Sequence, residues 1–446
     1  MRKVAWGLAL AMATSTSVWA REVQDDAFGA YEDGRYVEAA RGAEAALASD
    51  PENPNWWALA AEARARLGQN RDAADAFSHA AKFETDPEKR GYYLRAQTLS
   101  LVGAGLVEEA RAVLAQADAD PGLDIDHSLD WAMVAIATGD DATAQRILDD
   151  KNLHASFTRQ PALDAAYSAK RRGMDDRATT LFATGLALDE SEPEPLDEAQ
   201  REHIRREVRE LRRRWAIAGQ ASYSSSGRPD GIAPLGDQEV LQSGLEFSRR
   251  IGGWRNGRPF NLFVRAFHSE FLGDDAIIGN AMQGWVGARY KPFSKVNLNI
   301  EGSRLVGLDA QGLEDWSLRG AFSASEGVEP ELGRSNWSYL HVYSDVSYLF
   351  ENEVTYGIAE ARYGRAFSIG DGMSLTPYAV ARADIDTGRI EEGSLGAGAG
   401  LSIRFHFDET DTVAHRGWVD FDVQLRERIA GDVSAGGVLA SISLSR

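Results

Sequence analysis

The second half of the chain, from Trp215 to Arg446, is built of short segments in which apolar and polar residues alternate, broken by Gly, Asp, Asn and Pro. The segment 395–405 shows the pattern. Leu395, Ala397, Ala399, Leu401, Ile403 and Phe405 fall on one face; Gly396, Gly398, Gly400, Ser402, Arg404 and then His406 fall on the other. A period of two sends successive side chains to opposite faces of a β-strand. A water-soluble sandwich carries the same alternation, so what lies outside each strand has to be read from the rest of the chain.

Strands are expected near 215–225, 240–251, 260–272, 281–291, 295–305, 313–324, 337–350, 353–367, 374–385, 395–406, 416–428 and 436–446. An even number brings both ends of a closed barrel to one side. The segments are near the length needed to cross a bilayer at a tilt. Aromatic residues gather toward their ends: Trp215, Phe260, Tyr290, Phe293, Trp337, Phe350, Phe367 and Trp418. The face opposite the apolar one carries charge, at Glu301, Arg319, Asp345, Glu360, Arg362, Arg382, Asp384, Arg404, Asp420, Asp422 and Arg426. The first ten of these are the candidate lumen residues of an antiparallel transmembrane β-barrel. Its glycine face at 396–400 is expected to form a thin wall with room beside Arg404. Asn256-Gly257 suits a tight hairpin turn. Terminal Arg446 departs from the closing aromatic usual in outer-membrane barrels.

Composition narrows the alternatives. The chain has 446 residues, a formal charge of −20 and no Cys. Thiolate metal sites, disulfides, Cys nucleophiles and Cys lipidation are excluded, and the acidity argues against nucleic acid as a partner. Arg2 and Lys3, the apolar run Val4–Ala13 and Val18-Trp19-Ala20 read as a cleavable export signal over 1–20.

Residues 21–190 are Ala-rich and helical in pattern. Gly34, Gly68, Gly105, Gly139 and Gly173 recur at spacings of 34, 37, 34 and 34. Each is followed five positions later by Ala (Ala39, Ala73, Ala110, Ala144, Ala178), and further on by a packing residue (Ala43, Phe77, Leu114, Leu148, Phe182). Glycine ends one helix, and the small Ala lets the next pack closely. Pro51 is read as the start of the second unit. The pattern closely resembles the tetratricopeptide repeat, in five units. That resemblance implies a solenoid with a concave groove, for which Glu62, Arg66, Tyr92, Arg95, Asp126, Met133, Tyr167 and Lys170 are the candidate partner-binding residues. The array holds 31 acidic and 18 basic side chains, which favours a basic partner.

Residues 191–214 link the halves. After "SEPEP", Ile204, Val208, Leu211 and Trp215 share a helical face, as expected of a helix that caps the last repeat. It runs into Arg212, Arg213, Arg214 and Trp215, a combination suited to a phosphate-bearing membrane interface. The fold class is therefore α + β in two domains, an all-α repeat solenoid over 21–190 and a barrel of about twelve strands over 215–446.

Nothing in the sequence calls for catalysis, a metal or a cofactor. His268-Ser269, His341 with Asp345 and His406 with Asp408 are the His-centred combinations of the barrel, and no Gly-x-Ser-x-Gly, His-Glu-x-x-His or P-loop accompanies them.

The segments 337–367, 375–386, 396–407 and 420–445 resemble the C-terminal domain of the NfrA phage-adsorption family, and the order of repeats then barrel is similar to exopolysaccharide-export outer-membrane proteins. The resemblance implies a Gram-negative outer-membrane protein with its repeats in the periplasm. Its implied partners are outer-membrane lipid, inner-membrane or periplasmic glycan-synthesis proteins, a secreted polysaccharide, and phage. Two other readings stand beside export: a plugged barrel anchoring a binding scaffold or adhesin, and a surface-lipoprotein translocation barrel.

Overall fold

The computed structural model describes residues 26–226, 239–272, 281–310, 312–330, 334–388, 392–432 and 435–446. The expected export signal lies outside the described residues. The chain divides into two compact units, Met1–Ala169 and Lys170–Arg446. The boundary drawn at 190 from the repeat pattern thus differs from the contact boundary, which falls within the final repeat.

The helices are α1 (26–32), α2 (Tyr36–Leu47), α3 (Pro54–Arg66), α4 (Asn70–Phe83), α5 (Pro87–Gly103), α6 (Val107–Asp118), α7 (Leu129–Ala137), α8 (Asp141–Ile147), α9 (Arg159–Arg171), α10 (Asp175–Asp189) and α11 (Glu198–Arg212). The five repeat glycines all adopt positive φ, between 72° and 78°. That left-handed conformation costs any residue with a Cβ, which explains the strict recurrence of Gly there. Ala39, Ala73, Ala110, Ala144 and Ala178 are fully buried, and Ala43, Phe77, Leu114, Leu148 and Phe182 pack beside them. The longer spacing before Gly105 is taken up by α5, which runs for 17 residues where α3 has 13. Helix α3 begins at Pro54, not Pro51. Asn53 accepts the Asn55 N–H as its N-cap, and proline takes a first-turn position where no N–H is needed.

In the second unit, α11 opens with a capping box between Asp197 and Gln200 and packs against α10. It buries Ile204, Val208 and Leu211. The helix ends at Arg212, so Trp215 does not share its buried face; it starts the first strand instead, 62% exposed.

Twelve strands follow: β1 (Trp215–Ser224), β2 (Glu239–Ile251), β3 (Phe260–Leu272), β4 (Ala281–Tyr290), β5 (Asn297–Gly307), β6 (Asp315–Glu326), β7 (Asn336–Leu349), β8 (Val354–Gly370), β9 (Met373–Asp386), β10 (Gly393–Phe407), β11 (Gly417–Gly431) and β12 (Gly437–Ser445). They form a closed antiparallel barrel, sealed where β1 pairs with β12 from Ala218↔Ser445 to Ser224↔Leu439. Both barrel ends therefore lie at one mouth, here the near mouth, beside α11. Between β2 and β3, Arg255, Asn256 and Gly257 all have positive φ. They sit in a wider connection over 252–259, not in a two-residue hairpin.

Candidate functional site: the barrel interior and its mouths

Alternation along every strand decides what faces where. Leu425, Val286, Phe247, Leu401 and Trp316 are solvent-accessible on the outside, while Gln424, Arg382, Glu301 and Asp422 are buried inside. An apolar exterior around a charged interior is stable only if the exterior meets hydrocarbon. Trp215, Tyr290, Phe293, Phe350 and Phe367 are exposed toward strand ends, as expected of interfacial aromatics. Trp337 and Trp418 are corrections to that expectation. Trp337 is 3% exposed within a core of Tyr339, Ala366, Tyr378 and Val380, and Trp418 lies beneath Arg404, 4.5 Å from guanidinium carbon to ring centre. Both residues occupy the inward parity of their strands. Trp316, on the outward parity, was overlooked in the sequence. Among the described residues no helix is long and apolar enough to cross a membrane.

The ten candidate lumen residues all face inward, and the structure ties them into ion-pair networks. Glu301 lies 2.5 Å from Arg289, 3.3 Å from Arg319 and 3.5 Å from Arg265. Glu246, which sequence reading passed over, takes Arg265 at 2.5 Å and Arg289 at 3.0 Å. Arg319 continues to Asp345 at 2.6 Å and donates to the Tyr343 hydroxyl at 2.5 Å. A second network joins Glu360 to Arg362 at 2.6 Å and Arg382 to Asp384 at 2.9 Å, and Arg362 reaches Asp422 at 3.3 Å. Asp422 also accepts from the Tyr378 hydroxyl and from Gln424. Arg404 pairs with Asp420 at 2.6 Å, to which Ser402 donates.

Most of these pairs join near-neighbour strands. They run along the wall and so leave space. Burial of each charge is offset by its partners, because an isolated ion in this interior would cost several kcal/mol. The strand signal could have pointed to Glu246, Arg265 and Arg289, since all three sit on the polar parity of their segments.

A cavity of about 530 Å³ occupies the interior. It reaches from Trp418 and Ser445 near the α11 mouth to Ser317, Ser347 and Tyr356 close to the far mouth. One side is the seam of β12, β1 and β2, represented by Ala218, Gln220, Gly244 and Ser443. The other carries three carboxylates (Glu301, Asp345, Glu360) and four guanidiniums (Arg265, Arg319, Arg362, Arg382), and the one seam charge, Glu246 of β2, is paired with Arg265 and Arg289. The glycine face of β10 is not the open side. A Cβ on Gly400 would meet the Tyr378 ring, and Cβ atoms on Gly398 or Gly396 would meet backbone of neighbouring segments. Absent side chains there make room for the protein itself.

Polar clasps lie at both mouths. At the far mouth, Leu313 and Gln283 exchange two hydrogen bonds, Leu313 N–H to Oε1 at 2.6 Å and Nε2 to the Leu313 carbonyl at 2.9 Å. Leu313 packs on a cluster containing fully buried Leu305 and Leu349. Asp315 nearby accepts backbone N–H groups from Glu351 and Asn352. At the near mouth, α11 is tied to two connections. Arg206 and Arg209 hold Glu329 at 2.7 and 2.9 Å. Arg205 pairs with Glu409 at 2.8 Å and donates to the Thr410 carbonyl, and Arg209 donates to the His415 carbonyl. Burial acts to raise the Glu329 carboxyl, but Arg209 and Arg206 outweigh it and hold the group below the ordinary carboxylate range.

The candidate interface residues divide. Arg212 is exposed at the end of α11. Arg213 donates to the Ser445 hydroxyl at 3.2 Å, and Arg214 pairs with Asp176 at 2.8 Å. Trp215 is outward, with Arg249 stacked 4.9 Å from its ring centre. Two of the three arginines therefore fasten the barrel seam and α10, where the sequence suggested lipid phosphate.

Among the candidate groove residues, Glu62 accepts from the hydroxyls of Tyr92 and Tyr31, and Arg66 bonds Tyr31. Arg95 lies over the Trp131 ring at 5.5 Å and within 3.6 Å of Asp130. Asp126 pairs with Arg146, while Met133 and Tyr167 are partly buried on α7 and α9. Lys170 is directed to Glu207 of α11 at 2.5 Å. Glu62, Arg66 and Tyr92 thus form one cluster; Asp126 and Lys170 are engaged elsewhere.

The His-centred combinations do not assemble. Asp345 is bound by Arg319 and Tyr343, while His341 Nδ1 has no hydrogen-bond partner among the described residues. His268 and Ser269 point to opposite faces of β3. No acidic or His cluster among the described residues could hold a metal ion.

Residues 274–442 match the family described as bacteriophage N adsorption protein A C-term. The match begins ahead of β4 and runs into β12. Among solved structures, MamA is 16% identical, with 40% of this chain and 97% of that one covered and a TM-score of 0.33. The COG4313 outer membrane channel from Pseudomonas putida F1 is 9% identical, covering 52% of this chain and 93% of that one, with a TM-score of 0.30. The KdgM porin is 10% identical over 52% of this chain and 97% of its own, with a TM-score of 0.27. No curated protein matches the chain. The chain joins a helical repeat array to a closed twelve-stranded barrel, and the family match falls within the barrel.

Proposed function

We propose that this protein is the outer-membrane port of a glycan-export system, with its helical array in the periplasm docking the proteins that make the chain. The observation that carries this reading is the charged, polar cavity within the barrel, with hydrogen-bonded and ion-paired connections at its mouths. The near-mouth ion pairs of α11 are partly exposed and exchange with water at little cost, so that mouth is the one built to be opened. A purely structural barrel would gain more by filling its lumen with apolar side chains. The port works without catalysis. Helix α11 is the near gate: it leads directly from the last repeat into β1, so a partner bound to the repeats has a mechanical route to it. The test is a deletion strain, in which the surface or medium polysaccharide is expected to disappear and return on complementation. Unchanged polysaccharide would remove the export reading.

A second reading, adsorption of a phage to the outer loops, is favoured by the description of the matching family. Phage binding to the purified protein, with no glycan present, would separate it from adsorption to the exported polymer.

A further inference from the structure

We propose that the barrel cavity is a binding site for an uncharged, hydroxyl-rich saccharide chain, which lies along the β12–β1–β2 seam. The inference rests on the export reading and adds to it the class of glycan.

The two sides of the cavity differ in kind. The seam side presents Ala218, Gln220, Gly244 and Ser443, which are small or neutral, and a single charge, Glu246 of β2, already paired with Arg265 and Arg289. The lining charge is already matched, four guanidiniums against four carboxylates among the described residues, and all of it but Glu246 stands away from the seam. An anionic sugar reaching Arg362 would have to compete with Glu360 at 2.6 Å and Asp422 at 3.3 Å. A cationic sugar reaching Glu301 would meet three guanidiniums within 3.5 Å. Either ion must give up its own hydration to enter, and the charges it meets among the described lining residues are already engaged by their own partners.

A hydroxyl group faces no such barrier. It can donate to a carboxylate lone pair and accept from a guanidinium N–H while the pair stays intact, because guanidinium carries five donors and carboxylate about four acceptor sites. Trp418 lines the near end with Arg404 stacked on its ring. The volume, about 530 Å³, lies within the ordinary range of ligand pockets, roughly 300–1,000 Å³. It accommodates a short stretch of a chain.

The full-length protein, purified in detergent, is to be titrated by calorimetry with four hexamers: maltohexaose and chitohexaose (uncharged), hexagalacturonate (anionic) and the glucosamine hexamer (cationic). At least one uncharged hexamer is expected to bind ten-fold or more tightly than either charged one. Ser443→Trp, which fills the seam side, is expected to abolish that binding while the barrel keeps its heat-modifiable migration. Should that variant fail to fold, Glu360→Gln serves instead. It leaves the wall one positive charge in excess, and hexagalacturonate binding is expected to rise about ten-fold; no rise would overturn charge matching as what excludes an anionic chain. Equal or tighter binding of a charged hexamer to the unaltered protein would overturn the proposed class but leave the export reading standing. Loss of polysaccharide in the deletion strain with no hexamer bound would overturn the cavity as the site, again separately from export.

Discussion

The helical and barrel halves obey opposite rules of burial. In the array, Trp131, Leu114 and the repeat alanines are inside and charges such as Glu108 and Asp124 are outside. In the barrel, Leu425 and Val286 are 62% and 56% exposed, whereas Glu301 and Arg382 are each 3% exposed. The same free-energy terms produce both, with the solvent exchanged. Water outside makes an apolar interior favourable; hydrocarbon outside removes that drive and leaves polar groups to find one another within. Exposure therefore has a different meaning in each half of one chain.

The sharpest way to break the comparison is to remove an interior charge. Glu301→Gln leaves Arg265, Arg289 and Arg319 short of a carboxylate, and a loss of about 3–5 kcal/mol is expected for a broken buried pair. Urea unfolding in lipid vesicles, followed by tryptophan fluorescence, reads it. A change below about 1 kcal/mol would mean that the interior is wet enough to screen its charges.

A smaller effect tests the exterior directly. Leu425→Arg is expected to cost about 2–4 kcal/mol at mid-bilayer depth. Val37→Arg, at 49% exposure on α2, is expected to stay within about 0.5 kcal/mol. Were both substitutions neutral in vesicles, the outer face of β11 would not be meeting lipid.

The smallest effect concerns the near gate. Glu329 is held below its ordinary value of 4.5, so its contribution is complete above that pH and is lost as pH falls through the lowered folded value. Acidification below about 4.5 is expected to loosen α11, and Glu329→Ala to mimic this at neutral pH at a cost of roughly 1 kcal/mol, since the group is partly exposed. Single-channel recordings in planar bilayers, with more frequent opening in both cases, check it; an unchanged open fraction would remove α11 as the gate.

Much of this is legible in the residues. Period two placed twelve strands and the inward parity of Arg319, Asp345 and Arg382, because the pleat leaves no other choice. Recurrent glycine placed five left-handed turns, because only Gly adopts them without strain. Parity also determined that Trp337 and Trp418 face inward, although proximity to strand ends suggested a girdle. The clasps were not legible. Glu329 and Glu409 lie in connections with no periodicity, and their partners on α11 are distant in sequence.

By itself the sequence determined the order of domains, the alternation and the faces, since each follows from local stereochemistry and solvent. Only the tertiary structure decided where the free volume lies. The glycines of β10 promised an opening, but Tyr378 arrives from β9 to fill it, and the open side is the seam where β1 meets β12. Closure of a barrel brings together strands from opposite ends of the chain, and the space between their side chains is a property of that meeting alone.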